Sequence, residues 1–302
     1  MKPSIAPSML AGRLGDLLGQ PIAAWQAAPY GADHLVLLAC LHDGQRVVIK
    51  AGSEAHVDGW VLPQLGTVGV KAPALIAEAE IEESGTVYPV IVMSFIDGQL
   101  LAEVSDPLHR SLPSLMAQIH RIHRITTERG AGPVLEVVHD QHRNWKDYLL
   151  RVLTGDDPEF RWDPIQLDNR LDREALVQGI ERATQLVTRL TEPERYCLLH
   201  GDLNPHNVFV DQYDVTGIVD WSYARFGDPL FDFARLRTNP FIRRSPKALS
   251  SYFAELKLDT AAREREQTYY LVNLLEYVNW YYVDNEIERV HEQLRLIRHE
   301  LT

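Results

Sequence analysis

The segment His200-Gly201-Asp202-Leu203-Asn204-Pro205-His206-Asn207 sets an aspartate five residues ahead of an asparagine, with a histidine two places before the aspartate. An apolar Val208-Phe209-Val210 follows, and Gly217-Ile218-Val219-Asp220-Trp221 brings a second aspartate at the end of a β-rich run. H-x-D-x-x-x-x-N with a later aspartate is the spacing of a phosphoryl-transfer loop. In that reading Asp202 faces an acceptor hydroxyl and takes its proton. Asn207 and Asp220 offer hard oxygen ligands to a Mg2+ that bridges nucleotide phosphates.

A lysine at the end of a strand strengthens the case. Val47-Val48-Ile49-Lys50 has the V-A-I-K pattern, in which the lysine holds the α- and β-phosphates of the donor. Such a lysine needs an acidic partner on the next helix. Glu54 and Asp58 both lie in that segment, and Asp58, one turn further on, is preferred. A phosphate-covering loop is expected at Ala28-Pro29-Tyr30-Gly31-Ala32-Asp33-His34, which holds a single glycine and no G-x-G-x-x-G motif.

Other polar residues have structural readings. His200 braces the loop, and His206 is a solvated loop histidine. In Gly227-Asp228-Pro229-Leu230-Phe231-Asp232, Asp228 is an N-cap ahead of a proline in the first turn. Asp232 either accepts backbone donors of the catalytic loop or is a plain surface charge. The pairs His120/His123 and His139/His142 have i, i+3 spacing but no Glu-x-x-His or cysteine context, so no zinc is assigned.

These groups need a scaffold of strands followed by helices. Leu35–Leu41 and Arg46–Lys50 read as antiparallel strands about an Asp43-Gly44 turn, Ser53 to Leu65 as a helix, and Val87–Met93 as a further strand. Ser94-Phe95-Ile96-Asp97-Gly98 reads as a hinge. Beyond it the chain is mostly helical, with helices expected near Pro107–Thr127, Trp145–Leu153, Asp172–Leu190, Pro229–Arg237, Pro246–Leu256 and Thr260–Val283. The expected organisation is a nucleotide-binding lobe over 1–97, with the hinge at 94–98, and a catalytic and acceptor-binding lobe over 98–302.

Composition narrows the class. The 302 residues carry 45% hydrophobic and 24% charged side chains, ordinary globular values, and a formal net charge of −12. That charge speaks against nucleic acid and anionic membranes as partners and for a cationic ligand. No apolar run reaches the roughly 18 residues of a membrane span, and the N-terminal stretch has no secretory h-region, so a cytoplasmic protein is expected. Cys40 and Cys197 are two cysteines among apolar neighbours, which is not a disulfide framework.

Protein kinases separate the magnesium aspartate from the peptide platform by a long segment ending in A-P-E. Here the Pro229 helix start comes nine residues after Asp220, and Gly201 stands where a phosphate-sensing arginine would. The acceptor is therefore expected to be a small molecule. His200-Gly201-Asp202 through Asn207, Ile218-Val219-Asp220-Trp221 and Gly227-Asp228-Pro229 resemble the aminoglycoside phosphotransferase family, with its related kinases for choline, homoserine and methylthioribose. Asn144–Tyr148 and Val219–Asp228 look most like its hygromycin B phosphotransferase branch.

The resemblance implies an α+β, protein-kinase-like bilobal fold with a small β-rich N-lobe and a larger helical C-lobe. It implies ATP or GTP as donor, Mg2+ as cofactor, and adenine contacts from the backbone of Ser94 and Ile96. It also implies an acceptor held between the catalytic loop and the C-terminal helices. There Glu276, Tyr277, Trp280 and Asp284 share a helical stripe that joins carboxylates to aromatic rings, a combination suited to a protonated amino sugar such as hygromycin B. A monomer or weak dimer is expected. The competing readings are a housekeeping metabolite kinase and a catalytically silent nucleotide- or ligand-binding protein.

Overall fold

The computed structural model describes residues 5–28, 34–104, 110–139, 143–158, 160–163, 165–243 and 245–302. Residues 29–33 of the expected phosphate-covering loop lie outside these, as do 107–109 of the segment expected to be helical from Pro107 and 140–142 of the His139/His142 pair.

The elements up to the catalytic loop are α1 (Pro7–Leu17), β1 (Ile22–Ala27), β2 (Leu35–Leu41), β3 (Arg46–Ala51), α2 (Ala55–Thr67), β4 (Leu75–Glu83), β5 (Thr86–Ser94), β6 (Gln99–Leu100), α3 (Leu112–Ile122), β7 (Thr126–Thr127), β8 (Gly132–Pro133), α4 (Val134–Val138), α5 (Trp145–Thr154), α6 (Arg170–Thr188) and β9 (Tyr196–Leu199). After it come β10 (Val208–Asp211), β11 (Asp214–Ile218), β12 (Arg225–Gly227), α7 (Leu230–Thr238), α8 (Pro240–Arg243), α9 (Pro246–Leu256), α10 (Thr260–Val283) and α11 (Ile287–Leu301). The chain forms two compact units, one of residues 1–106, 113–125 and 205–224, the other of 107–112, 126–204 and 225–302.

The first unit is built on an antiparallel sheet of order β1-β2-β3-β5-β4. The Asp43-Gly44 turn forms as expected: Gly44 takes φ +89°, and the Gln45 amide donates to Asp43 Oδ1 at 2.9 Å. Successive strand residues point to opposite faces. In β3 this sends Val47, Ile49 and Ala51 into a core with Leu10 and Leu14 of α1, and turns Lys50 to the other face, where α2 lies. There Gly59 of α2 stands against Glu78 of β4, and a Cβ on Gly59 would come within 3.1 Å of the Glu78 carboxyl. A smaller sheet, β11-β10-β6, completes the unit.

Gly98, at the end of the expected hinge, has φ +137°, and a Cβ there would lie 2.7 Å from Thr216 Oγ1 and 2.8 Å from the Val210 carbonyl oxygen. Only glycine meets both demands. Gly98→Ala is expected to destabilise the protein by about 1–3 kcal/mol, read as a lower urea midpoint; an unchanged midpoint would show that the backbone relaxes at no cost.

The second unit is mainly helical, with a short sheet of order β7-β9-β12-β8. Its helices start where side chains can cap them. Asn144 accepts from the Asp147 amide at α5, Asn169 from Leu171 at α6, Ser245 from Ala248 at α9 and Asp259 from Ala262 at α10. Helices α1, α4, α8 and α11 are additions to those expected from the sequence, and the segment expected to be helical up to Thr127 leaves the helix after Ile122 and enters β7. Helix α10 is buried nearly all round over its middle turns, from Thr268 to Leu275. Among the described residues no helix is long and apolar enough to cross a membrane.

Candidate active site

In the first unit the site is built around Lys50. Its ammonium lies 2.8 Å from Asp58 Oδ2, 2.8 Å from Asp220 Oδ1 and 2.7 Å from Ser222 Oγ. The pleat that turns Lys50 away from the core aims it at α2, and one helical turn separates the two acids considered for it. Asp58 is buried against the lysine, whereas Glu54 lies outside the helix as its N-cap residue. Asp58 also serves a backbone donor. Its Oδ1 accepts from the Trp221 amide at 3.1 Å, which ties α2 to the segment carrying Asp220.

Asp220 follows β11 with φ +63°, a left-handed conformation that a non-glycine residue keeps only where its surroundings hold it there. Its side chain is 45% exposed. Burial raises its carboxyl, but the charge and hydrogen bond of Lys50, with the Ser222 hydroxyl, outweigh this and hold it well below the usual carboxylate range. For Lys50, burial works against the charge, and Asp220 and Asp58 together carry the ammonium above the ordinary lysine range. The pair is therefore an ion pair across the neutral range. Asn207 ends a short 3-10 turn, Pro205–Asn207, and its carbonyl accepts from the Val219 amide at 2.9 Å, one residue before Asp220.

Two participants belong to no motif of their own, although His34 ends the expected phosphate-covering loop. Ser222 donates to Asp220 at 2.9 Å, and His34, 9% exposed, places Nε2 at 3.2 Å from that hydroxyl. Burial and then the Lys50 charge lower the His34 imidazole from its ordinary value, which keeps it neutral. A serine two residues past an aspartate and a histidine before a strand are too common to single out.

At the hinge, the Ser94 amide donates to the Ala74 carbonyl at 2.9 Å, and its hydroxyl accepts from the Ala74 amide at 2.8 Å. The Ser94 amide and hydroxyl are thus both engaged by Ala74. The Ile96 side chain abuts Gly217, where a Cβ would come within 2.7 Å of Ile96 Cγ2.

In the second unit the loop bearing Asp202 is braced from α7. The buried Asp232 carboxylate accepts from the His200 amide at 2.9 Å and the Gly201 amide at 3.0 Å, so of its two readings the brace is the one that fits. Helix α7 starts at Leu230, so Pro229 rather than the expected Asp228 holds the N-cap place, with no side-chain cap. Asp228 turns the chain into the helix instead, accepting from the Leu230 amide at 3.0 Å and from the Tyr269 hydroxyl at 3.0 Å. His200 is fully buried, and its Nδ1 accepts from the Asp202 amide at 3.3 Å. The Asp202 carboxylate accepts from Asn204 Nδ2 at 3.0 Å and from the Tyr277 hydroxyl at 3.4 Å.

The stripe of α10 divides. Tyr277 reaches Asp202, and Trp280 meets the Tyr277 ring edge-on at 5.6 Å. Asp284 caps the helix and is exposed. Glu276 departs from the expectation of an acceptor-facing carboxylate. It is fully buried, with one oxygen 3.1 Å from Arg225 Nη1 and the other on Arg235 Nη2, and both arginines are themselves buried. Periodicity assigns it to a polar face, but α7 and β12 cover that face and supply the counter-charges. Arg225, Arg235 and Asn204 do not stand out in the sequence; an arginine in an apolar run gives no sign of being buried until its partner is in place.

Among the described residues no group of three or more histidines, cysteines, aspartates or glutamates gathers to hold a metal. Asn207 and Asp220 do fit a hard divalent ion, which prefers one or two protein oxygens and fills its other positions from phosphate and water.

A buried lysine clamped between a helix carboxylate and a left-handed aspartate, on a five-stranded antiparallel sheet, defines a kinase-like phosphotransferase. Comparison with known proteins agrees. Residues 40–269 match the phosphotransferase enzyme family, and the chain belongs to this family, that of the aminoglycoside phosphotransferases. The hygromycin-B 4-O-kinase of Escherichia coli is 22% identical over 244 residues, 72% of this chain and 67% of that one. A shorter match, 45% identical over 42 residues and 14% of each chain, is to the uncharacterized protein YcbJ of Bacillus subtilis (strain 168). Among solved structures, aminoglycoside phosphotransferase APH(4)-Ia superposes with a TM-score of 0.78 at 16% identity, over 98% of both chains. The GDP and kanamycin complex of APH(2″)-IIIa superposes with 0.64 at 19% identity, over 98% of both. The α+β kinase-like fold expected from the sequence is therefore found.

Proposed function

We propose that this enzyme transfers the γ-phosphate of ATP or GTP to a hydroxyl of a small cationic, sugar-like acceptor, with an aminoglycoside such as hygromycin B as the first candidate. The observation that carries the reading is the Lys50 ammonium held at 2.8 Å from both Asp58 and Asp220, because it fixes a positive charge where donor phosphates are to be held. The donor belongs to the lobe of residues 1–97, with adenine against the Ser94 carbonyl and Ile96 amide of the 94–98 hinge. Residues 98–302 supply the catalytic loop and the acceptor contacts. Mg2+, when bound, neutralises charge on the phosphates, and Asn207 and Asp220 are the residues to hold it.

Asp202 orients the acceptor hydroxyl and takes its proton. The acceptor oxygen bonds to the γ-phosphorus, the bond from that phosphorus to the β–γ bridging oxygen breaks, and the nucleoside diphosphate leaves. Positioning and charge stabilisation do most of the work. Relatives support the acceptor class: one is a hygromycin-B 4-O-kinase, and APH(4)-Ia has been crystallised in ternary complexes with hygromycin B and ADP or AMP-PNP. Trp280 on α10 and Asp284 at its C-terminal cap join an aromatic ring to a carboxylate, which suits a protonated amino sugar. The net charge of −12 favours the same class.

The test is coupled nucleotide consumption against aminoglycosides, choline, homoserine and methylthioribose, with ATP and GTP in turn. Stimulation by an aminoglycoside is expected. Stimulation by choline, homoserine or methylthioribose alone would transfer the enzyme to the metabolite kinases. No stimulation and no magnesium-dependent hydrolysis would leave a silent binding protein.

A further inference from the structure

Around Asp202 the second unit carries more than a proton-accepting carboxylate requires. Both oxygens accept hydrogen bonds, Oδ2 from Asn204 at 3.0 Å and Oδ1 from the Tyr277 hydroxyl at 3.4 Å. The Tyr277 ring is held on several sides. It stacks on Tyr281 at 5.4 Å with an interplanar angle of 11°, meets Trp280 edge-on, and carries the Arg235 guanidinium 4.5 Å above its face. Arg235 is itself fully buried. Its Nε donates to the Gly201 carbonyl at 3.0 Å, and its charge is matched by Glu276. One arginine thus grips the backbone one residue before Asp202 and also the ring whose hydroxyl reaches Asp202.

We propose that Tyr277 is a positioning residue for Asp202, its hydroxyl donating to Oδ1 so that the carboxylate is turned, and kept ionised, for the acceptor hydroxyl. The proposal rests on the reading of Asp202 as the acceptor-facing base. A donor aimed at a carboxylate favours the charged form. Tyr277 stays a donor at working pH, since burial and then the Asp202 charge carry its phenol far above the ordinary tyrosine range. Among the described residues of this unit, the titratable or charged groups that act on Asp202 include His200 on its own loop, Arg235 on α7, and Tyr277 and Tyr281 on α10.

The experiment follows the Asp202 side-chain carboxyl by 13C NMR in the full chain, with Asp202→Asn identifying its resonance. Tyr277→Phe keeps the ring, its stacking and its place beside Arg235, and removes only the hydroxyl. Loss of a donor raises the pKa of the acid it served, so the Asp202 midpoint should move to higher pH, a roughly three- to tenfold weaker acid. An unmoved midpoint in a folded variant overturns the proposal, and so does a lowered thermal midpoint without any change in titration. The titration needs no turnover, so failure of the underlying reading shows separately, as full activity of Asp202→Ala.

Discussion

Asp202→Ala should lower kcat by about 10²- to 10⁴-fold, the range for loss of a positioned proton acceptor, while nucleotide affinity stays as it was. The separation follows from where the groups sit. Lys50, Asp58, Asp220 and Ser222 make their contacts with one another inside the first unit. Asp202 makes its described contacts with Asn204 and Tyr277 in the second. Deleting the carboxylate leaves the lysine and its two acids intact, so the site that we assign to the phosphates persists. Asp202→Asn should lose as much turnover, because an amide fills the same volume and still accepts from a donor but cannot take the proton. Turnover at the acceptor that stimulates the wild type, together with nucleotide titration of each variant, decides the matter. A variant as active as the wild type would refute the assignment of Asp202.

The second large effect is on stability. Glu276→Ala should destabilise the protein by about 3–5 kcal/mol, since it strands two buried guanidinium groups without their counter-charge. The Glu276 carboxylate serves Arg225 with one oxygen and Arg235 with the other. Arg225 has a further partner in the Tyr148 hydroxyl at 2.8 Å, but that hydroxyl brings no charge. The loss should also reach the active loop, because Arg235 holds the Gly201 carbonyl. Urea unfolding followed by tryptophan fluorescence reads the first effect. Activity measured well below the unfolding midpoint reads the second. A Glu276→Ala protein as stable as the wild type would mean that the arginines find water or other partners, and would remove the electrostatic account of this part of the unit.

The same residue shows where reading a sequence stops. Asn273, Glu276, Tyr277, Trp280 and Asp284 share one face of a long helix by their spacing, and Thr260–Val283 is the helix that forms. Period 3.6 reports which side chains share a face and says nothing about what covers it. Whether that face meets solvent, a ligand or two arginines depends on α7 and β12, elements distant in the chain. The choice between Glu54 and Asp58 has the same character: both acids are visible in the sequence, and the direction in which the β3 pleat turns Lys50 selects between their positions.

What can be read in advance is short-ranged. Lys50 at a strand end, Asp202 and Asn207 five residues apart, Asp220 after an apolar run, the Asp43-Gly44 turn and the helix starts at Trp145 and Pro246 all follow from spacing and local backbone preference. Such signals act within a few residues, so the order of side chains is enough to express them. The contact of Ser222 with His34, the burial of Glu276 between arginines and the reach of Tyr277 to Asp202 are settled only by tertiary structure. They join residues separated by 41 to 188 positions. A pairing of that kind depends on which surfaces the folded chain brings together, and on whether a buried charge finds its opposite there.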